Sequence, residues 1–335
     1  MTPKRRIIPI FVPHLGCEHD CVFCNQRQIT GMQKPATAES IQKTLRDIGT
    51  KKDEPSELAF YGGSFTAIPE EMQEELLAAA QPFLKQNPQN SLRVSTRPDC
   101  IDNKILKRLS DYGVKTVELG TQSMCNDVLT LSNRGHSDAD TIQAAAMIKQ
   151  GGFNLILQMM TGLPGDTPEK SIETARRLAE LKPDGVRIYP TAIIEKTPLY
   201  DLWKRGEYKE HTVEDAVSLC AEIVPIFMEA AIPIIRLGLN PTEELTSGSA
   251  VAGAYHPAFG ELVYSQMFLN KARGLLEKAD GSTVELGVNS ACVSIMIGHK
   301  RCNIAKLKSE LRIKEIKVKP CDVKWGEIVI LNIEK

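Results

Sequence analysis

The chain has 335 residues, of which 42% are hydrophobic and 25% charged, and its formal net charge is −1. These values are ordinary for a soluble globular protein and supply enough apolar side chains for a large core. The length predicts one large domain, or one of about 200–250 residues with a smaller unit beside it. The near-zero charge excludes a whole-chain field that attracts nucleic acid, but leaves room for a local basic patch.

The sequence shows no targeting or membrane signal. Three of the first six residues are basic, but no long apolar run follows them, which argues against a secretory signal peptide. No run of about 18 or more apolar residues occurs, so no transmembrane helix is expected. These observations predict a cytoplasmic protein that makes no membrane contact.

The first 190 residues alternate between strand and helix patterns. Strands are predicted at residues 6–12, 57–61, 92–95, 116–119, 154–159 and 185–189. Helices are predicted between them at residues 37–47, 69–84, 101–112, 139–149 and 168–181. This alternation predicts a parallel sheet covered by helices, and six units fall short of the eight of a closed barrel. A partial barrel and an open doubly wound sheet both fit, and in either the ligands bind at the carboxyl ends of the strands.

The pattern changes after residue 190. Helices are predicted over residues 199–209 and 212–230, and a short strand over 232–237. Residues 238–260 are rich in small and turn-forming residues, which indicates an ordered active-site loop or a linker. The expected division is a core (1–240), a loop and helical extension (241–280) and a small basic α+β unit (281–335).

Three of the nine cysteines lie together in the loop after the first predicted strand. Cys17, Cys21 and Cys24 have the spacing Cys-x3-Cys-x2-Cys, and disulfides are not expected in the cytoplasm, so a metal site is predicted. A 4Fe–4S cluster usually takes four thiolates, so three leave one iron open to a substrate or cofactor. The alternative is a structural zinc site with His14 or His19 as the fourth ligand. The other cysteines are interpreted as ordinary thiols, or as ligands of an auxiliary cluster or hydrogen-atom donors: Cys100, Cys125, Cys220, Cys292, Cys302 and Cys321.

With this motif, the chain resembles the radical S-adenosylmethionine (SAM) superfamily over residues 5–240. It is most similar to the radical SAM core of the Elongator catalytic subunit, and it shares features with oxygen-independent coproporphyrinogen oxidase. The resemblance implies an α/β fold, a partial (β/α)6 TIM-like barrel of the radical SAM type with a small C-terminal α+β unit. It also implies an oxygen-sensitive enzyme whose 4Fe–4S cluster cleaves SAM to a 5′-deoxyadenosyl radical, with a flavodoxin- or ferredoxin-like one-electron donor. Phe23, the aromatic residue before the third cysteine, would pack near the adenine.

A double glycine follows the second predicted strand. By the resemblance, Gly62 and Gly63 present backbone groups to the amino group of SAM, because a Cβ there would obstruct the close approach. Ser64 stands where many superfamily members have Glu. The alternative is a plain turn between a strand and a helix.

Further polar residues follow the other strands. Arg97 is interpreted either as a SAM contact or as a solvated arginine before a Pro–Asp turn. The segment 118–123 is similar to the Elongator pattern and points Gln122 into the barrel mouth. Arg134 would pair with the SAM carboxylate, which suits a planar guanidinium, and His136 is interpreted as a hydrogen-bonded residue at a helix start. Two more segments would complete the crescent around the adenine and ribose, residues 158–165 and 187–190.

One departure from the Elongator subunit concerns its C-terminal acetyltransferase domain. This chain ends at Lys335, too soon for such a domain, so the radical half is expected to be shared while the product differs. RNA, with tRNA in particular, is the first candidate substrate, and a small molecule of the tetrapyrrole class is the second. A rival interpretation from another class is a zinc-stabilised, non-catalytic RNA-binding protein.

Residues 283–333 are predicted to form strand, helix, turn, helix, strand and strand. The turn at residues 298–301 is similar to the GXXG loop of a KH module, with Arg301 in place of the second glycine and without a final helix. Residues 300–324 hold nine Lys or Arg against three Asp or Glu. The hypothesis is that this unit binds RNA, and the alternative is a helical turn with a solvated basic face.

Overall fold

The computed structural model describes residues 6–12, 15–17, 20–26, 34, 36–47, 55–240, 248–277, 279 and 282–334. His14 and His19, the alternative zinc ligands, lie outside these described residues, as does the predicted start of the small unit at residue 281. The chain forms two compact units, which are Met1–Val213 with Pro225–Pro257, and Glu214–Val224 with Ala258–Lys335.

The first unit is built on a parallel sheet. Its strands are β1 (Arg6–Phe11), β2 (Ser56–Tyr61), β3 (Ser91–Thr96), β4 (Val114–Gln122), β5 (Asn154–Thr161), β6 (Gly185–Pro190), β7 (Ala192–Ile194), β8 (Ile234–Leu237) and β9 (Ala250–Gly253). Seven of them pair in the order β1-β2-β3-β4-β5-β6-β8, every pair parallel, and the sheet curls into a half-barrel. β7 and β9 form a separate antiparallel pair. The predicted α/β partial barrel is confirmed, with β8 as a seventh strand beyond the six expected.

Helices connect the strands of this sheet. They are α1 (Ala38–Asp47), α2 (Glu70–Ala79), α3 (Gln81–Gln86), α4 (Asn103–Asp111), α5 (Asn126–Leu131), α6 (Asp138–Gln150), α7 (Pro168–Glu180), α8 (Pro198–Lys204) and α9 (Val213–Glu229), of which Glu214–Val224 belongs to the second unit. Local signals set several starts: Asp102 caps α4, Ser137 and Asp140 form a capping box on α6, and Thr167 caps α7.

Two helix predictions are wrong in extent. The single helix expected over residues 69–84 is interrupted at Ala80, because Pro82 has no N–H to continue the ladder. The helix expected over 199–209 ends at Lys204, and Gly206 follows with a φ of 72°, a conformation that suits glycine after a helix end.

The second unit combines helices with a small mixed sheet. After α10 (Phe259–Leu276) come β10 (Thr283–Val288), α11 (Val293–Ile297), α12 (Cys302–Leu311), β11 (Glu315–Pro320) and β12 (Ile328–Glu334). β10 is central, parallel to β11 and antiparallel to β12. The order of elements within residues 283–333 matches the prediction. Trp325 packs edge-on against Tyr264 of α10, with ring centroids 5.0 Å apart. Across the described chain, no helix is both long and apolar enough to cross a bilayer.

Candidate functional site

The first half of the cysteine loop is pressed against the double-glycine turn that follows β2. The Ser64 amide donates to the Leu15 carbonyl at 2.9 Å, and the Leu15 amide donates to the Val12 carbonyl at 3.1 Å. A Cβ on Gly63 would lie 2.4 Å from the Leu15 carbonyl oxygen, and one on Gly16 would lie 2.2 Å from that of Ser64. Glycine at both positions therefore lets two backbones touch directly beside Cys17.

The second half of the loop is held by the segment that follows α5. The Val22 amide donates to the Ser132 carbonyl at 3.2 Å, and the Asn133 side-chain amide donates to the Asp20 carbonyl at 2.9 Å. A tight turn joins the last two cysteines, in which the Cys24 amide donates to the Cys21 carbonyl at 3.0 Å. Phe23 lies half-buried inside that turn. The loop is thus anchored at the end of β2 and at the segment that follows α5.

The three thiols lie in one electrostatic environment. Burial raises the pKa of Cys17, partly offset by a backbone hydrogen bond from Ser64 and by the charges of Arg134 and Arg97. Burial, and next the negative charge of Cys21, raise the pKa of Cys24 to about 12. Cationic iron would favour the thiolates and displace these protons.

Three thiols are a donor set that suits soft metal centres such as iron–sulfur clusters and zinc. Within the described ranges, no three His, Cys, Asp or Glu side chains are grouped to hold a single metal ion. The fit to a cluster rests on other observations: the three cysteines share one short loop, a glycine cradle fixes that loop, and Arg134 donates to the Sγ of Cys21.

Arg134 lies against the cysteine loop. It is 6% exposed, and its Nη1 donates to the Sγ of Cys21 at 3.0 Å while Nη2 donates to the carbonyl of Gly120. Its Nε is buried without a hydrogen-bond partner among the described residues. Leaving such a donor unpaired costs about 1–3 kcal/mol, so the site holds one cationic donor group with capacity for another acceptor.

Gln122 lies beside Arg134 at the end of β4. Its backbone has a φ of 67°, which is uncommon for a residue with a side chain, and it accepts a hydrogen bond from Gln158 at 3.3 Å. A Cβ on Gly120 would come within 3.1 Å of the Gln122 amide nitrogen and 3.3 Å of Arg134 Nη2. Glycine at position 120 therefore makes room for both side chains at one place.

Arg97 and His136 are both buried near this site. Arg97 is 5% exposed and binds Asp99 through two contacts of 3.0 and 2.5 Å, so its interpretation as a solvated arginine is wrong. Aligned pairs of this kind replace the hydration that burial removes. His136 immediately precedes Ser137, the N-cap of α6, and its Nε2 lies 3.2 Å from the Thr121 carbonyl oxygen. This matches the prediction of a hydrogen-bonded residue at a helix start.

A buried network of ion pairs joins strands β2, β3, β4 and β6, and the sequence analysis did not predict it. Arg93 binds Glu57 at 2.6 Å and Glu118 at 3.2 Å, and Arg187 binds Glu118 at 2.9 Å. All four side chains are at most 9% exposed, and their two positive and two negative charges balance. The available signal was a charged residue at a buried position in each of four mostly buried strands: β2, β3, β4 and β6.

This network reaches the site through two tyrosines. Arg187 donates to the hydroxyl of Tyr61 at 2.8 Å and to that of Tyr189 at 3.3 Å. Burial is the main cause that raises the pKa of Tyr61, so it stays a neutral phenol. The carboxyl edge of the sheet thus combines three thiols, one arginine with a spare donor, and a set of neutral amide and hydroxyl groups.

A curled parallel half-barrel with three cysteines in the loop after its first strand is the architecture of enzymes that combine an iron–sulfur cluster with SAM. Residues 11–178 match the model of the Radical SAM superfamily, and residues 183–268 match the Radical SAM C-terminal domain. The chain belongs to the radical SAM superfamily, whose members carry out enzymatic radical chemistry. The family implies a 4Fe–4S cluster and SAM as cofactors.

The similar proteins include several linked by name to tRNA or Elongator. The tRNA uridine(34) acetyltransferase of Methanocaldococcus infernus is 29% identical over 78% of this chain and 56% of that protein. Elongator complex protein 3 of Homo sapiens is 31% identical over 54% of this chain and 37% of that protein. The structure of archaeal Methanocaldococcus infernus Elp3 with an N-terminal deletion matches with a TM-score of 0.62 and 26% identity, covering 81% of this chain and 63% of that one. This chain therefore spans roughly half, or less, of the length of these two curated relatives.

Proposed function

We propose that the protein holds a 4Fe–4S cluster on Cys17, Cys21 and Cys24 and uses it to cleave SAM reductively. When bound there, the cluster supplies one electron to SAM, which yields methionine and a 5′-deoxyadenosyl radical. The observation that supports this best is the loop itself. It carries all three thiols within eight residues, and backbone contacts at a double glycine tie it to the carboxyl edge of the sheet.

Arg134 has two roles in this proposal. Its Nη1 donates to the Sγ of Cys21 and orients that side chain, and its unpaired Nε remains available for the carboxylate of SAM. Gln122, whose side-chain oxygen accepts from Gln158, would present its side-chain NH2 group to the same cofactor. Gly62, with a φ of 93°, gives the turn a backbone shape that other residues rarely adopt.

The remaining predicted contacts have supporting roles. The guanidinium of Arg97 is paired with Asp99 through two hydrogen bonds. In this proposal Arg97 therefore does not bind SAM directly, and only its positive charge acts on the site. Phe23 would pack against the adenine from the turn between Cys21 and Cys24. A flavodoxin- or ferredoxin-like protein would deliver the electron.

RNA, with tRNA in particular, is the proposed substrate. Two of the similar proteins named above are a tRNA uridine(34) acetyltransferase and an Elongator protein. The charged network also argues against a tetrapyrrole substrate. The carboxylates of such a substrate would need unpaired cations, whereas Arg93 and Arg187 are already paired with Glu57 and Glu118. Neutral hydroxyl and amide groups suit an uncharged nucleobase better.

The experiment is anaerobic reconstitution, reduction with dithionite in the presence of SAM, and chromatography for 5′-deoxyadenosine. Cys21→Ala should abolish the product. Cys125→Ala, which also removes a half-buried thiol but lies outside the loop, should retain it. A colourless protein with one zinc per chain and no SAM cleavage would overturn the proposal in favour of the zinc-stabilised RNA-binding protein.

A further inference from the structure

The inner face of the half-barrel is open to solvent at the carboxyl ends of three strands. In each of β2, β3 and β6, one residue is half-buried and all the others are buried; these residues are Tyr61, Ser95 and Tyr189. Side chains alternate between the two faces of a strand, so the two tyrosines share a face with Glu57 and Arg187 of the ion-pair network. A ligand therefore has access to both phenols on the carboxyl side of that network.

Strand β8 adds a further arginine to this inner face. Arg236 lies opposite Arg187 in the pairing of β6 with β8, because the register skips Ile235. A bulge of this kind re-aims a side chain, and bulges are common beside active sites. Burial raises the pKa of Tyr189, and the positive charges of Arg187 and Arg236 are among the causes that oppose this rise. Arg236 therefore lies within electrostatic reach of the Tyr189 phenol.

Arg236 differs from the other arginines of this face because it has no carboxylate partner. The two arginines of the network are paired with Glu57 and Glu118. Within the described ranges Arg236 forms no ion pair; its Nε donates to the Gly238 carbonyl at 3.0 Å and its Nη2 to the Leu239 carbonyl at 2.9 Å. These carbonyls hold the guanidinium at the carboxyl end of β8. Its Nη1 makes no hydrogen bond to another described residue, so a charged donor remains for a ligand.

The two phenols on this face also have unused donors. Arg187 donates to both hydroxyl oxygens, and burial, which raises the pKa of Tyr61 and of Tyr189, keeps both phenols neutral. In the part of the chain that the structure describes, neither hydroxyl donates its own hydrogen. Two hydroxyl hydrogens and one guanidinium edge are thus presented from a single face. That set suits a ligand that is rich in acceptor oxygens and carries a negative charge.

We propose that Arg236 binds a phosphate of the RNA substrate through its Nη1, and that the hydroxyls of Tyr61 and Tyr189 donate to the same nucleotide. A guanidinium matches the geometry of a phosphate and stays charged. One unpaired arginine suits the single charge of a phosphodiester, whereas the several carboxylates of a tetrapyrrole would need more cations. The choice of RNA rests on the proposed function, in which the carboxylate of SAM already has Arg134 as its partner.

The test is isothermal titration calorimetry of the anaerobically reconstituted full chain, with SAM present and reductant absent. The probes are uridine 5′-monophosphate and uridine, which differ only in the phosphate and are poor mimics of the adenine of SAM. Wild type should bind the monophosphate about tenfold more tightly than uridine, or better, because the phosphate contact is charge-assisted. Arg236→Gln should abolish this preference. Arg176→Gln, which removes the same charge from an exposed position of α7, should keep it.

Arg236→Gln is expected to fold, because it leaves no carboxylate without its partner, and thermal unfolding checks this. If it does not fold, Arg236→Lys decides the question. That variant keeps the charge but loses the planar fork, so its preference for the monophosphate should fall by about threefold or more. A full preference in Arg236→Lys would then count against the inference.

Three results would overturn the inference. They are an equal preference in wild type and Arg236→Gln, no preference in wild type, and a loss of SAM affinity in Arg236→Gln as large as its loss of monophosphate affinity. The last would assign the guanidinium to the carboxylate of SAM. Arg236-dependent binding of the monophosphate by a protein that forms no 5′-deoxyadenosine would refute the proposed function alone. SAM cleavage by a wild-type protein without the preference would refute this inference alone.

Discussion

Replacing Glu118 by Gln should strongly destabilise the first unit. Glu118 is 2% exposed and binds both Arg93 and Arg187, so Glu118→Gln leaves two buried guanidinium groups with the single carboxylate of Glu57. At 2.9 Å, one such pair is worth about 6 kcal/mol in Coulomb energy at an effective dielectric constant of 20, before the desolvation penalty is subtracted. Breaking a buried pair from one side costs about 3–5 kcal/mol.

The assay is denaturant and thermal unfolding followed by circular dichroism under anaerobic conditions. A loss of this size lowers the melting temperature by on the order of 10 °C in a domain of this size. The matched control is Glu207→Gln, which makes the same chemical change in an exposed pair with Arg205 and should leave stability unchanged. A loss below about 1 kcal/mol, or one equal to that of the control, would refute the account of the network.

Two further predictions concern the loop and its surroundings. Gly63→Ala should prevent stable cluster assembly, because its Cβ would lie 2.4 Å from the Leu15 carbonyl oxygen. Gly274→Ala is the control, since a Cβ there would meet open space, and it should assemble the cluster normally. The iron content of both variants is measured, and a normal iron content in Gly63→Ala would contradict the role of the glycine cradle. Burial and the charge of Arg134 lower the pKa of His136 from 6.5 to about 4, so stability is complete above pH 6.5 and is lost as the pH falls toward 4. His136→Asn should remove about 2 kcal/mol of the fall in the free energy of unfolding between pH 7 and pH 5, and an equally steep fall in the variant would argue against the shift.

The strand–helix alternation was sufficient to predict the fold class, because period and punctuation are local properties of the chain. The seventh strand, β8, was predicted as a strand but not assigned to the sheet. It has four residues, and the excursion through β7, α8 and α9 separates it from β6, its partner. Periodicity identifies a strand but not its neighbour. The break at Pro82 was readable, because proline inside a helix removes a backbone donor.

The candidate site divides in the same way. The spacing of the three cysteines is local, so the sequence reveals it. The contact of Gly63 with the loop residue Leu15, and the meeting of Arg134 with Cys21, depend on which strand ends converge, which no short motif encodes. A charged residue in a strand is usually expected to face solvent, so the sequence does not predict that Glu57 and Arg93 are buried. Their burial is explained only by the ion pair that the fold brings together. The left-handed turn at Lys300 and Arg301 was hidden because neither is a residue that favours it.

The most direct test of the central claim is electron paramagnetic resonance of the reduced, reconstituted protein before and after SAM is added. The account predicts about four iron atoms per chain, a reduced 4Fe–4S signal, and a change in that signal when SAM binds the iron that Cys17, Cys21 and Cys24 leave open. A signal that SAM does not alter, or a protein that takes up zinc in place of iron, would contradict it.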